Sequence, residues 1–204
     1  MSKIFQTQFH KGSWIEGVSD SLITPGTISF PFRRSEKGIV AQSLDNAFMV
    51  FPSDIALSEN GASIIFSGKG WNYSTNSNEY IIGTSASTID NTFGRYSTIL
   101  RLNSNTSGQY WLNYTPSGEV LRKLREGYWH IAIVADGGAV KTYLNGELLD
   151  TETPSDGVTF NRFGQNFNGE YIGIQLYDHA LTEKERAKLY NEFLRATPTT
   201  KIIQ

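Results

Sequence analysis

Two short runs of alternating aromatic and amide side chains are the part of this 204-residue chain best suited to recognising a ligand. They are Trp71-Asn72-Tyr73 and Gln109-Tyr110-Trp111-Leu112-Asn113-Tyr114. Sugars present apolar C–H faces and many hydroxyl groups, so exposed aromatic rings beside hydrogen-bonding side chains are suited to binding them. On a regular strand, Trp111 and Asn113 share one face and the neighbouring residues share the other. An alternative stays open, in which these aromatic rings mainly fill a protein interior.

A third aromatic candidate lies in the segment that ends at the Asn145-Gly146 turn. In a strand there, Tyr143 and Lys141 lie on the face opposite Val140, Thr142 and Leu144, so they could line an open sheet face. Trp129, in a strongly apolar run, is assigned to the core instead. The candidate glycan-binding residues are therefore Trp71, Asn72, Tyr73, Trp111, Asn113 and Tyr143.

The carboxylates are not arranged for catalysis. Retaining glycoside hydrolysis needs two carboxyl groups about 5 to 5.5 Å apart. The nearest acidic cluster, Glu147 to Glu152, directly follows the Asn145-Gly146 turn and is interpreted as the arm of a hairpin. No nucleophile elbow, phosphate-binding loop or dinucleotide motif occurs. No catalytic residue is assigned, and a glycoside hydrolase is the least favoured function.

Metal ligands are equally scattered. Calcium needs several oxygen ligands that converge at about 2.3 to 2.6 Å, but the aspartates occur singly and are interpreted as turn residues. The chain has no cysteine and only three dispersed histidines. No metal ligand and no cofactor is assigned, while calcium stays open as an unassigned alternative.

Composition narrows the class of partner. The formal net charge is −2 and only 19% of residues are charged, which argues against nucleic acid as an electrostatically driven partner. No run reaches the 18 to 20 apolar residues of a membrane helix, so no membrane insertion is expected. Serine (20), threonine (18) and asparagine (14) together supply 52 residues. The expected surface is therefore polar but mostly uncharged.

Short apolar or β-branched runs separated by glycine, asparagine, serine and aspartate indicate an all-β protein. The candidate strands are Thr27–Phe32, Phe48–Phe51, Ala62–Ser67, Glu79–Thr84, Tyr96–Leu102, Tyr110–Tyr114, Trp129–Ala135, Val140–Leu144, Glu147–Asp150 and Tyr171–Tyr177. No helical period is found between Asp20 and Gln175. Strands that follow one another without intervening helices predict an antiparallel sandwich or barrel.

One helix is predicted near the C-terminus. Thr182 and Glu185 have the spacing of a capping box, and Thr197-Pro198 ends the helix. An apolar stripe follows the cap, and it consists of Leu189, Tyr190, Phe193 and Leu194.

The segment from Gly127 to Phe193 resembles the laminin-G-like domains of the concanavalin A-like lectin/glucanase superfamily. The resemblance rests on four stretches: Gly127-Tyr128-Trp129-His130-Ile131-Ala132-Ile133-Val134, the Asn145-Gly146 hairpin, the closing Tyr177-Asp178-His179-Ala180-Leu181-Thr182 and the final Leu189-Tyr190-Asn191. It implies a jelly-roll sandwich of two antiparallel sheets with one short C-terminal helix. Many relatives carry an Asp-Glu pair where this chain has Ile172-Gly173, which weakens a calcium site.

A single domain over residues 1–204 is expected, with an N-terminal arm at 1–20 and a C-terminal tail at 196–204. The expected function is non-catalytic recognition of carbohydrate or of a protein partner, as a subunit of a larger assembly such as a bacteriophage virion. The start at Met1 without a signal peptide and the absence of cysteine favour such an assembly. A stand-alone or secreted lectin-like module is the alternative. The predicted location is a virion or particle surface after cytoplasmic synthesis, or else extracellular, and a homo-oligomer is compatible with either.

Overall fold

The structure is a computed structural model that describes residues 3–10, 13–16, 24–25, 32–34, 39–41, 49–57, 61–71, 79–83, 92–96, 99–104, 109–114, 117–153, 158–163 and 169–197. Side chains are described for 61–71, 117–153, 169–170 and 172–197.

The described residues form strands and two helices. In chain order the strands are β1 (Lys3–His10), β2 (Ser13–Glu16), β3 (Thr24–Pro25), β4 (Phe32–Arg34), β5 (Ile39–Ala41), β6 (Met49–Leu57), β7 (Ala62–Lys69), β8 (Glu79–Gly83), β9 (Thr92–Tyr96), β10 (Ile99–Ser104), β11 (Gln109–Tyr114), β12 (Tyr128–Asp136), β13 (Ala139–Leu144), β14 (Glu147–Glu152), β15 (Val158–Phe163) and β16 (Gly169–Tyr177). The helices are α1 (Gly118–Glu126) and α2 (Glu183–Ala196).

The strands pair antiparallel into two sheets. The first has the order β14-β13-β12-β7-β16-β1-β2, with β5 beside β16 and β4 beside β5. The second has the order β11-β10-β9-β8-β15-β6-β3. The predicted fold class, a jelly-roll sandwich of two antiparallel sheets with a short C-terminal helix, is confirmed, and α1 is a second helix beside the one that was predicted. Among the described residues, no helix is both long and apolar enough to cross a bilayer.

The β12–β13–β14 meander is the part of the first sheet that positions the site, and it was predicted from sequence. Asn145 and Gly146, with φ of 51° and 85°, form the turn between β13 and β14. Both residues therefore adopt the left-handed backbone conformation that a type I′ hairpin turn requires.

Both faces of β12 are buried, which explains its near-continuous apolar sequence. Ala132 and Val134 belong to an apolar cluster with Leu189 of α2, so this face of the first sheet, the outer face, is covered by the C-terminal helix. On the other face of the strand, Trp129 and Ile133 are fully buried.

Helix α1 was not predicted from the sequence. Ser117 is its N-cap, and the Ser117 hydroxyl oxygen accepts a hydrogen bond from the Val120 N–H at 3.3 Å. The buried Lys123 reaches Glu147 Oε2 at 2.9 Å and thereby fastens α1 to β14. The hydrogen bond to Glu147 raises the pKa of Lys123, against the opposing effect of burial. A nine-residue helix between two strands gives a periodic signal too short to separate from a loop.

Several other sequence predictions agree with the structure only in part. The segment Tyr96–Leu102, predicted as one strand, contains the end of β9 and the start of β10, which pair with each other at Tyr96 and Ile99. Most of the predicted strand Thr27–Phe32 lies outside the described residues. Within the predicted arm at 1–20, Lys3–His10 pairs with β16 and Ser13–Glu16 pairs with β1. The single-domain organisation stays a prediction.

Candidate functional site

A cavity of about 340 Å³ opens between α2 and the outer face of the first sheet; we call it the helix–sheet groove. The sheet side is lined by His130, Ala132, Tyr143, Asn145 and Gly146. The helix side is lined by Glu183, Arg186, Ala187 and Tyr190. These four helix positions are spaced i, i+3, i+4 and i+7, so they form one stripe along α2. The described lining of the groove therefore combines two tyrosine rings, one guanidinium group and one carboxylate.

The floor of the groove is fixed by the turn between β13 and β14. The Asn145 side-chain oxygen accepts a hydrogen bond from the His130 N–H at 2.9 Å, while the Asn145 N–H donates to the His130 carbonyl at 2.8 Å. Gly146 passes beneath Tyr190, where an added Cβ would lie 3.1 Å from the ring. The turn thus needs asparagine for its hydrogen bonds and glycine for both its backbone conformation and the close approach of the helix.

Helix α2 is held at its first turn by a complete capping box. The Thr182 hydroxyl oxygen accepts from the Glu185 N–H at 3.3 Å, and Glu185 Oε2 accepts from the Thr182 N–H at 2.8 Å. The segment before the cap is tied to the sheet by Ser63, whose hydroxyl donates to the His179 carbonyl and accepts from the Leu181 N–H, both at 2.9 Å. Because both ends of this connection are fixed, α2 has a defined position over the sheet.

Arg186 lines the helix side of the groove and is held at two points. Its guanidinium carbon lies 4.1 Å from the centroid of the Tyr143 ring, a cation–π distance. One of its terminal nitrogens donates to the Leu181 carbonyl at 2.9 Å. The described part of the chain gives Arg186 no carboxylate partner within 4.0 Å. The remaining guanidinium N–H groups therefore make no ion pair with a carboxylate of the described residues.

The inner end of the groove is closed by packed rings. The His130 ring lies 5.6 Å from that of Tyr190 and 5.1 Å from that of Phe193, between centroids. Burial lowers the pKa of His130 to about 4, and its Nδ1 lies 3.0 Å from the Ser67 hydroxyl. Burial also raises the pKa of Tyr190. Both groups are therefore neutral near pH 7, and Arg186 and Glu183 carry the charge of the groove lining.

Of the residues predicted from sequence, the structure brings Tyr143 to the groove. Tyr143 is half-buried and Lys141 is exposed, while Val140, Thr142 and Leu144 are buried, as the strand alternation predicted. One face of the Tyr143 ring is covered by Arg186, so the ring acts together with the guanidinium group rather than as a bare platform.

Trp71 lies elsewhere, in the interior. Only 1% of its surface is exposed, and its ring lies 6.2 Å from that of Trp129. The backbone N–H of Trp71 donates to the Leu124 carbonyl of α1 at 2.8 Å. A ring buried to this extent cannot stack on a sugar from solvent, so the structure gives Trp71 the packing role that was the alternative interpretation.

The other predicted residues are Trp111, Asn113, Asn72 and Tyr73. Trp111 and Asn113 lie on β11 of the second sheet, where the register with β10 shifts between Leu102 and Asn103 and leaves Trp111 in a bulge. A bulge interrupts the regular alternation on which their shared face was predicted. Their side chains, and the residues Asn72 and Tyr73, lie outside what the structure describes.

Sequence reasoning missed the helix side of the groove. Tyr190 was assigned to the apolar stripe of α2, and the positions of Glu183 and Arg186 were not singled out. The sequence did contain one signal: Glu183 and Arg186 are spaced from Tyr190 so that all three lie on one face of the helix. Which sheet residues this stripe faces depends on contacts between distant segments.

Metal-ligating groups do not converge in the described part of the chain, where no three histidine, aspartate or glutamate side chains form a group that could hold an ion.

Comparison with known proteins gives matches in structure only. No known protein family and no curated protein sequence matches the chain. Among solved structures, domain 4 of AbnA, a GH43 extracellular arabinanase from Geobacillus stearothermophilus in complex with arabinotriose, is similar over 93% of this chain and 98% of that domain, with a TM-score of 0.66 and 17% identity.

Two botulinum neurotoxin structures are similar as well. One is of botulinum neurotoxin type C, whose cell entry is described as dependent upon interaction with two ganglioside molecules. It is similar over 97% of this chain, with a TM-score of 0.65 and 17% identity. The other is the serotype D binding domain, with a TM-score of 0.61, 15% identity and 94% covered. This chain spans about half (52%) of either toxin chain. At these identities the likeness establishes the fold alone.

Proposed function

We propose that this protein is a non-catalytic carbohydrate-binding domain and that the helix–sheet groove holds part of the bound sugar. The observation that carries the proposal is the groove itself, in which Tyr143, Tyr190, Arg186 and Glu183 surround a space of about 340 Å³. Support comes from the arabinanase domain, which shares the fold over nearly its whole length and was solved with an oligosaccharide. The narrower laminin-G-like membership belongs to this proposal and rests on the sequence of the meander and closing turn.

The chemistry of the groove suits a sugar. Tyrosine rings and the two alanines, Ala132 and Ala187, offer apolar surface to the C–H face of a pyranose or furanose ring. Arg186 donates and Glu183 accepts hydrogen bonds, which sugar hydroxyl groups can satisfy in both directions. A volume of about 340 Å³ also falls at the lower end of the range of about 300 to 1,000 Å³ for ligand sites. A groove of this size takes a short saccharide or one end of a longer one.

The groups of the described lining support binding rather than catalysis. The described lining has one carboxylate, Glu183, whereas glycoside hydrolysis uses two. His130 and Ser67 are in hydrogen-bonding contact, but a histidine with a pKa of about 4 is a weak general base near neutral pH. The groove is therefore better suited to holding a sugar than to cleaving it.

The assembly in which the domain works is the second part of the proposal. We place it on a larger particle, with a bacteriophage virion as the example, or in an extracellular protein; in both cases the groove meets cell-surface glycans. A homo-oligomer fits either setting.

Leu148, on the edge strand β14, is 54% exposed and supports a protein contact at that edge. Leu148→Lys should lower the oligomeric mass measured by light scattering, and an unchanged monomer in wild type and variant counts against such a contact.

The test of carbohydrate binding is a glycan array with the wild-type chain, followed by titration calorimetry with arabinotriose and the best array ligand. Tyr143→Ala should weaken binding at least about 10-fold, because it removes the ring and frees Arg186. Lys141→Ala, on the same strand but outside the groove lining, is the matched control. Trp111→Ala and Asn113→Ala test the second sheet as the alternative surface. Absence of any saccharide binding at millimolar concentration overturns the proposal.

A further inference from the structure

Arg186 has a property that neutral sugars do not use: a permanent charge that the described surroundings leave without an ion pair. The neighbouring cation Lys123 is different, since it already pairs with Glu147 at 2.9 Å and with Glu119 at 3.7 Å. His130 is neutral above about pH 4. Among the described residues of the groove lining, the guanidinium group is thus the positive centre.

The guanidinium group is also positioned before any ligand arrives. The contact with the Tyr143 ring holds the guanidinium carbon, and the bond to the Leu181 carbonyl holds one terminal nitrogen. Only one N–H is used in that bond, and a guanidinium group has five. A planar donor group held in this way matches the geometry of a carboxylate and loses little conformational entropy on binding it.

We propose that the ligand of the helix–sheet groove is a sugar whose ring carries a carboxylate group, bound through that carboxylate to Arg186; this rests on the proposed carbohydrate-binding function. Uronic acids and sialic acids share this chemistry. Glu183, on the same wall, favours a singly charged carboxylate over a doubly charged phosphate, because repulsion grows with the charge of the ligand. Glu183 is free to accept a hydrogen bond from a hydroxyl of the same ring.

The experiment compares each acidic sugar with its own methyl ester, which has the same ring and no charge. The four probes are trigalacturonic acid, its methyl ester, 3′-sialyllactose and its methyl ester, titrated by calorimetry at pH 7 into the full chain. At least one acid should bind about 10-fold or more tightly than its ester, the effect of a charge-assisted hydrogen bond. Its affinity should fall as salt is raised from 50 to 500 mM, whereas that of the ester should not.

Variants locate the effect. Arg186→Gln should abolish the preference for acid over ester, and Arg186→Lys should retain only part of it because lysine lacks the planar fork. Arg195→Gln removes the same charge from an exposed position at the end of α2 and should change nothing. If Arg186→Gln does not fold, the comparison of acid and ester on the wild-type chain still decides the matter.

Each outcome has a defined meaning. A preference for the uronate, the sialoside or both supports the inference and identifies the source of the carboxylate. Equal affinity for acid and ester, or binding of arabinotriose with none of the four probes, overturns the inference and leaves the proposed function standing. Failure of every saccharide, arabinotriose and the glycan array included, overturns both.

Discussion

Three buried polar residues hold the walls of the groove together: Ser63, His130 and Asn145. Ser63 bonds the segment that precedes α2, and Asn145 bonds both backbone groups of His130. A buried polar group that loses its partner costs about 1 to 3 kcal/mol, so each of these residues fixes local geometry strongly. They are polar, yet their role is to position other residues.

Ser63→Ala should lower the free energy of unfolding by about 2 kcal/mol, because it leaves the buried Leu181 N–H without its acceptor. Urea denaturation measures the change. Thr151→Ala, an exposed hydroxyl on β14, is the control and should stay within about 0.5 kcal/mol of wild type. A Ser63→Ala variant as stable as the control would contradict the importance of this bond for docking α2.

His130 should make stability depend on pH between about 6.5 and 4. Burial lowers its folded-state pKa to about 4, so in this window the unfolded chain binds more protons than the folded one. The free energy of unfolding should therefore fall as the pH is lowered from 6.5 to 4, by roughly 3 kcal/mol from this group, and then level off. His130→Gln should be less stable near pH 7 but flatter across the window in urea titrations. Equal pH slopes for both proteins would refute the assignment.

Among the elements, α2 contributes most to the groove because it supplies one entire wall. Its position depends on the connection after β16. Ser63 holds that connection by a hydrogen bond to Leu181, and the capping box of Thr182 and Glu185 follows directly. The hairpin between β13 and β14 supplies the opposing floor, and α1 is fastened to that hairpin through Lys123. The site therefore lies where a helix, a hairpin and a cap meet.

The capping box predicts a further pH effect on the helix. The backbone hydrogen bond from Thr182 is the main cause that lowers the pKa of Glu185. The stabilisation from Glu185 is therefore present above its unfolded pKa, near 4.5, and is lost as the pH falls through the lower folded value. Glu185→Gln should keep the hydrogen bond and lose this acid dependence. Thr182→Ala should cost about 1 kcal/mol at pH 7. Thermal unfolding followed by circular dichroism from pH 2 to 7 measures both.

At the scale of the whole molecule, close backbone packing lets large rings fill the interior. Trp129 is fully buried and its ring lies directly over Gly68 of β7. Trp71 contacts Trp129 from the residues just after β7, so the two indoles share one region of the core. The first sheet can hold the Trp129 ring in this position because Gly68, beside it, lacks a side chain.

Gly68→Ala should destabilise the fold by about 3 kcal/mol, since an added Cβ would lie 2.5 Å from the Glu170 carbonyl oxygen and would overlap the Trp129 ring. Gly118→Ala is the matched control, because nothing lies within 4 Å of its Cβ position at the start of α1 and alanine favours helix. The unfolding temperature measured by calorimetry should therefore fall for Gly68→Ala and rise for Gly118→Ala. A tolerated Gly68→Ala would show that the indole can move aside.

The predictable part of the site comes from local patterns. Alternation along β13 identified the outward position of Tyr143, and the Asn-Gly pair identified the turn that forms the floor. The same kind of reasoning could not separate Trp71 from an exposed binding residue, because a tryptophan followed by asparagine looks alike in a core and on a surface. It also missed α1, which has only nine residues.

The sequence by itself determined the antiparallel all-β class, the meander from β12 to β14 and the capped final helix, because each follows from periods and turns within a few residues. The choice of a sandwich over a barrel came from the resemblance to laminin-G-like domains. Only the tertiary structure decided that Arg186 stacks on Tyr143, that Tyr190 closes over Gly146 and that Trp71 turns inward. Each of these contacts joins residues 40 or more positions apart, as Tyr143 and Arg186 or Gly146 and Tyr190 are in the sequence. Local propensity does not determine such contacts, because they depend on the face of the sheet against which the helix packs.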